Sequence, residues 1–287
     1  MKSHPRMCLT ISLAVLCLCM PLGSSAQAGL PDKNLEAAVR AVIFEKKDTT
    51  AEITDDDLKK VYVLEARGKG IKDLSGMEKC VNLLQLNAAK NEIVDVSALK
   101  DIKNLQSLDL SNNKIVDATP LGNITALQFL ELSDNQIVSV QPLEKLAKLS
   151  ALYIAGNKIV DVAPLAKLER LSSLDLARNQ VVDLKPLTNV GVLSLLKLSG
   201  NQIADITPLA KPLSLRMLLL ENNKLTDLAP FVAAVKTDAE GEKRFAPFLR
   251  LYLTGNPLSD AAKTTELEAL KAAGVKIEFG DMKIDKK

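Results

Sequence analysis

The chain has 287 residues, of which 47% are hydrophobic, 3% aromatic and 25% charged, with a formal net charge of +2. That is ordinary globular composition, enough for one or two domains. The near balance of charge leaves no basic excess of the kind that phosphate neutralisation requires, which excludes nucleic acid as the expected partner.

At the N-terminus Lys2 and Arg6 precede an apolar run from Leu9 to Met20, and Ala26-Gln27-Ala28 places small residues where a signal peptidase reads. Residues 1–28 therefore read as a secretory signal cleaved after Ala28, too short to serve as a membrane span. The mature chain is then secreted or periplasmic, with no span left after cleavage. Neither Cys17 nor Cys19 follows the small residue expected at a lipoprotein cleavage site. Removing the leader takes away the single histidine, His4, together with Cys8, Cys17 and Cys19, so one cysteine, Cys80, remains. Lys2 and Arg6 leave too, which lowers Lys+Arg from 37 to 35 against 35 Asp+Glu and brings the net charge to zero. A lone Cys80 reads as a small buried hydrophobe and forbids an internal disulfide framework.

Residues 29–60 read as a helical cap. Asp32 precedes Leu35, Ala38, Val39, Val42 and Ile43 on one helical face, and Thr54 with Asp57 three residues on has capping-box spacing.

From Val61 to Asn256 one phrase of 22 residues recurs, marked by Asn91, Asn113, Asn135, Asn157, Asn179, Asn201 and Asn223, with Asn256 ending the series. Each asparagine follows a run such as Leu105, Leu108 and Leu110 and precedes Ile, Val or Leu by two positions. This is the leucine-rich repeat pattern L-x-x-L-x-L-x-x-N-x-L, and its fixed period carries the assignment. Leu108 and Leu110 alternate with Ser107, Asp109 and Ser111, so a short strand sends leucines inward and polar residues outward. A single strand of this kind cannot bury its own apolar face, but stacked copies form a parallel sheet over a continuous core. Each asparagine falls where the chain leaves the strand, and its amide can satisfy inward-pointing backbone groups from rung to rung. The second half reads D-x-x-P-L, as in Asp117 to Leu121, which suits short 3₁₀ turns because too few residues remain for a full helix. The first rung departs from the phrase, with Lys69 at the asparagine position.

After Asn223 the next asparagine lies 33 residues on, so extra chain is inserted near residues 232–247. It reads as an enlarged loop on the turn side, with a helical turn at Phe231 to Val235. Residues 257–287 read as a C-terminal cap and tail, in which Thr264 to Ala273 is helical, Gly274 ends the helix and Val275 to Phe279 adds a last strand. The fold expected is an α/β repeat solenoid of about nine rungs. It is curved, with a parallel β-sheet on the concave face, 3₁₀ turns on the convex face, a helical N-terminal cap and a helix-strand C-terminal cap.

The 22-residue repeats resemble those of the bacterial internalins and their secreted relatives. The opening Leu30-Pro31-Asp32 with Asn34-Leu35-Glu36-Ala37-Ala38-Val39-Arg40, and the closing Asn256-Pro257-Leu258-Ser259 with Leu270 to Phe279, are also similar to the ends of such chains. The resemblance implies a curved solenoid that binds a macromolecule with its concave sheet. No immunoglobulin-like module, sorting signal or cell-wall repeat appears in the sequence, so an adhesin role is not carried over with the fold.

No catalytic constellation, cofactor site or metal site is legible. Without histidine a Ser or Cys nucleophile lacks its commonest base, and zinc would have only carboxylates and one thiol. The recurring Asp73, Asp95, Asp117, Asp161, Asp183, Asp205 and Asp227 keep the repeat interval and read as turn caps. The Asn123-Ile124-Thr125 sequon is usable only in a eukaryotic host. What remains is the concave face, where register selects Asp109, Phe129, Glu131, Asp134, Tyr153, Asp175, Leu195, Lys197, Met217, Leu219 and Tyr252 as partner-binding residues. Phe129 beside Tyr153, and Leu195 beside Met217 and Leu219, would be apolar groups in water ringed by charge, the composition of an interaction hot spot. Asp109, Glu131, Asp134 and Asp175 favour a partner with basic groups. The expected function is a non-catalytic module, monomeric, that binds a protein or peptide. The alternative is a structural or envelope-associated protein that binds polysaccharide or assembles with itself.

Overall fold

The structure is a computed structural model of the chain and describes residues 29–278 apart from 191, 211–214, 242, 244 and 245. The leader at residues 1–28 and the tail from Phe279 onward lie outside the described residues. Each rung begins with a strand of three residues: β1 (Val63–Glu65), β2 (Gln85–Asn87), β3 (Ser107–Asp109), β4 (Phe129–Glu131), β5 (Ala151–Tyr153), β6 (Ser173–Asp175), β7 (Leu195–Lys197), β8 (Met217–Leu219), β9 (Arg250–Tyr252) and β10 (Lys276–Glu278). They pair in parallel and in sequence order to form one open sheet. The middle residue of each strand points inward, so Leu64, Leu86, Leu108, Leu130, Leu152, Leu174, Leu196, Leu218 and Leu251 stack in a buried column. The outer two residues of each strand face the opposite side, and register holds them in two rows.

The chain leaves strands β1 to β9 through a residue with positive φ: Gly68, Lys90, Asn112, Asp134, Gly156, Arg178, Gly200, Asn222 and Gly255. This left-handed column explains the recurrence of Gly and Asn at that place, since other residues meet a steric cost there. At Gly156 the requirement is double, because a Cβ would also lie 2.3 Å from Asp134 Oδ1.

Next along the chain stand the asparagines. Asn113 is typical: its Oδ1 accepts from the Ile93 N–H at 3.0 Å, and its Nδ2 donates to the Ala88, Leu110 and Ser111 carbonyls. The same pattern runs through Asn91, Asn135, Asn157, Asn179, Asn201, Asn223 and Asn256. At the first rung Lys69 donates its backbone N–H to Asn91 Oδ1, which also accepts from Ile71. The aspartate that follows two rows later accepts from the amide two residues on, as Asp117 does from Thr119 and Asp161 from Ala163, both at 2.8 Å. Asx turns of this kind open the 3₁₀ segments Thr119–Asn123, Ala163–Lys167 and Lys185–Asn189, and Gln141–Lys145 opens instead on the Ser139 hydroxyl, which accepts from the Gln141 N–H at 3.2 Å; each segment has Pro in its first turn. A fully buried leucine contributes about 1.5–3 kcal/mol, a gain no single rung could collect.

Two caps close the stack. Helix α1 (Lys33–Val42) buries Leu35, Ala38 and Val39. Its N-cap Asp32 accepts from Asn34 and Leu35 with Oδ1 and from Lys72 and Asp73 with Oδ2, which ties the helix to the first rung. Helix α2 (Asp55–Leu58) starts on a Thr54–Asp57 capping box. At the far end a π-helical turn, Ala262–Glu266, runs into α4 (Leu267–Ala272), and β10 pairs with β9. In chain order α3 (Ala229–Glu240) comes before these two helical pieces, and it is a correction to the sequence reading. The insertion holds a helix of 12 residues where an enlarged loop with one helical turn was expected. Pro230 fits the first turn of a helix, and Phe231, Val232 and Val235 find a buried surface between the stack and α4 that local sequence does not reveal.

Candidate functional site

Two register rows make up the solvent-facing side of the sheet. One contains Ser107, Phe129, Ala151, Ser173, Leu195 and Met217, the other Asp109, Glu131, Tyr153, Asp175, Lys197 and Leu219. Phe129 and Tyr153 sit diagonally on adjacent strands, with ring centroids 5.6 Å apart and planes inclined by 52°. That is a tilted aromatic contact, which fixes both rings while leaving them half-buried. Tyr153 lies in a row between Glu131 and Asp175, with Asp109 one rung beyond Glu131.

The carboxylates of this row also serve the fold. Asp109 accepts from the Ser111 N–H and hydroxyl, Glu131 from the Ser133 N–H at 2.8 Å, and Asp175 from the Ala177 N–H. Burial pushes the Glu131 carboxyl above its usual range, the neighbouring Asp109 and Asp175 charges push the same way, and the Ser133 contacts oppose them. Asp175 is nearly buried and pairs with Lys197 at 3.1 Å. The concave centre is thus an aromatic pair set among three carboxylates, of which one is neutralised within the row.

Two expected exposures, at Leu219 and Tyr252, are corrected. Asp134 stands in the left-handed column, where its Oδ1 meets Arg178 at 2.9 Å across Gly156. Leu219 and Tyr252 stand in the outward row, outside the leucine core, yet are only 6% and 3% exposed. Neighbours on the crowded C-terminal rungs cover them. Leu219 lies between Lys197 and Tyr252, and the Arg250 guanidinium stands 5.8 Å from the Tyr252 ring centre. Leu195, Met217 and Lys197 remain half-buried on the same face.

Other chemistry is sparse. Cys80 is buried in the core, and desolvation, with a smaller effect from Glu78, pushes its thiol up to about 12, so it is held as an unreactive thiol. Among the described residues no three His, Cys, Asp or Glu side chains converge as a metal-ligand group, and no helix is long and apolar enough to cross a membrane.

Comparison with known proteins agrees with this architecture. A family described as "Leucine Rich repeats (2 copies)" matches residues 81–123 and 125–167. No curated protein sequence matches the chain. Among solved structures, internalin C2 from Listeria monocytogenes is 26% identical with a TM-score of 0.64, over 87% of this chain and 94% of that one. A leucine-rich repeat protein of Leptospira interrogans is 24% identical with a TM-score of 0.66, over 78% of this chain and 56% of that one. The plant peptide hormone receptor RGFR1, solved in complex with RGF2, is 19% identical with a TM-score of 0.56, over 72% of this chain and 32% of that one. The fold is therefore a curved leucine-rich repeat solenoid.

Proposed function

We propose that this protein is a secreted, non-catalytic binding module whose concave face holds a protein or peptide with basic side chains. The observation that carries the reading is the half-buried Phe129–Tyr153 pair beside the row of Asp109, Glu131 and Asp175. Aromatic rings held in place lose little entropy on binding, and surrounding carboxylates select cationic groups by complementarity. Leu195 and Met217 extend the contact surface along the sheet, while Asp134, Leu219 and Tyr252 support it from positions that a partner reaches less directly. The apolar leader of residues 1–28 supports export, and the plant peptide hormone receptor of this fold, solved in complex with RGF2, supports a binding role.

The test is affinity capture from the native envelope or culture fluid with the wild-type chain and a Phe129→Ala, Tyr153→Ala variant side by side, followed by direct titration of the retained partner. Loss of more than about tenfold in affinity by the folded variant is expected for a hot-spot pair. Equal retention by both chains would move the binding site away from these rings.

A further inference from the structure

The flank of the solenoid carries a second feature, unrelated to the concave face. Three positions after each asparagine, Val94, Val116, Val138, Val160 and Val182 form a row in which each side chain is about half exposed, from 48% to 55%. Backbone bonds keep the rungs in step, since Lys114, Gln136, Lys158 and Gln180 donate their N–H to Ile93, Ile115, Ile137 and Ile159 at 2.8–2.9 Å. The valines therefore make one continuous apolar stripe. β-branching suits this extended backbone, but the fold does not demand valine, because Lys72, Ala204 and Thr226 hold the same position on other rungs.

Charge borders the stripe asymmetrically. Two residues before the valines, on one side, lie Glu92, Lys114, Gln136, Lys158 and Gln180. One residue after, on the other side, lie Asp95, Asp117, Ser139, Asp161 and Asp183, all exposed. Lys158 has no ion-pair partner among the described residues, while Lys114 reaches Glu92 at 2.9 Å. Hydrogen bonds from the Thr119 hydroxyl and N–H hold the Asp117 carboxyl below its ordinary range, so it is anionic at neutral pH.

We infer that this flank pairs with the same flank of a second copy, around a two-fold axis running along the stripe. Such an axis keeps each rung opposite its own counterpart and exchanges the two borders. The five valines then meet their equivalents, Lys114 and Lys158 of one copy face Asp117 and Asp161 of the other, Gln136 faces Ser139, Gln180 faces Asp183, and Glu92, already paired with Lys114, meets Asp95 as the one like-charged rung. The lateral offsets are about 7 Å for lysine and about 3 Å for aspartate from the valine row, a gap that a lysine side chain spans. The other two-fold arrangement, with the axis across the stripe at Val138, would set Lys114 against Lys158 and Asp117 against Asp161. With Asp95 also set against Asp183 it has only like-charged contacts, whereas the first arrangement has two opposite-charged rungs against one like-charged, so the balance of charge selects the first orientation. A stripe this narrow lies at the small end of stable interfaces, which implies a dissociation constant of about micromolar or weaker. A monomer is the expectation from sequence, and this surface argues for a pair that leaves both concave faces open.

The test is sedimentation equilibrium of the full chain, expressed so that the host can process its leader. A concentration-dependent doubling of mass that weakens with added salt is expected. Val138→Glu, whose side chain is already in water, should keep the thermal midpoint and weaken association by about tenfold or more. Lys114→Glu with Lys158→Glu, and Asp117→Lys with Asp161→Lys, should each remain monomeric alone and form a heterodimer when mixed. If the aspartate variant loses its fold with its turn caps, Val138→Glu and the lysine variant decide the matter. A wild-type chain that is monomeric throughout, or a dimer that survives both of those variants, overturns the proposal.

Discussion

Replacing Asn157 by alanine tests how the solenoid is held together, because the hydrogen bonds can be followed one by one. Asn157 Oδ1 accepts from the Ile137 N–H at 2.9 Å, and Nδ2 donates to the carbonyls of Leu132, Ile154 and Ala155 at 3.0, 3.2 and 3.2 Å. After truncation the Leu132 carbonyl keeps Asn135, the Ile154 carbonyl keeps Asn179, and the Ala155 carbonyl keeps the Asp134 N–H. Only the buried Ile137 N–H is orphaned, and one such group costs about 1–3 kcal/mol. A loss of about 2 kcal/mol should lower the melting temperature by about 4–8 °C in a domain of this size. Asn157→Asp should be worse than alanine at neutral pH, since it keeps the acceptor but turns an unprotonated oxygen toward the Leu132 and Ile154 carbonyls. Urea unfolding followed by circular dichroism measures both variants, and hydrogen exchange at Ile137 reports the orphan directly. A change below about 0.5 kcal/mol for alanine, or an aspartate better tolerated than alanine, would refute the reasoning.

Gly122→Ala should destabilise by about 1–3 kcal/mol, because the added Cβ would lie 2.3 Å from the Pro142 carbonyl oxygen, a backbone atom of the next rung; chemical denaturation checks it. Glu131→Gln should stabilise at neutral pH. Burial raises the folded-state pKa of Glu131, so its charged form costs stability above that value, and the advantage of glutamine should shrink as pH falls through it. Denaturation midpoints at neutral pH and at about pH 4 give the comparison. Asp57→Asn should have the opposite profile. The Thr54 backbone hydrogen bond is the leading cause that holds Asp57 down at about 2 against an ordinary 3.8, so wild type is the more stable above 3.8 and the gap closes as pH falls toward about 2. Thermal melts across that range test it.

Periodicity alone determined the stack. Leucines in alternation along each strand, an asparagine every 22 residues and a proline in most of the 3₁₀ turns are local signals, and each is repeated often enough that the register of Leu108 on Leu130, or Asp109 on Glu131, follows from counting. The cap helices were legible for the same reason, since Asp32 and Thr54 announce themselves by spacing. What counting could not supply is what each side chain meets from other rungs. Asp134 pairs with Arg178, two rungs away, across Gly156. Leu219 and Tyr252 point outward but are covered by side chains from β7, β9 and β10, and α3 forms because its apolar face finds the stack and α4. Burial and charge pairing are sums over neighbours distant in sequence, so only the tertiary structure decided which outward residues remain free for a partner.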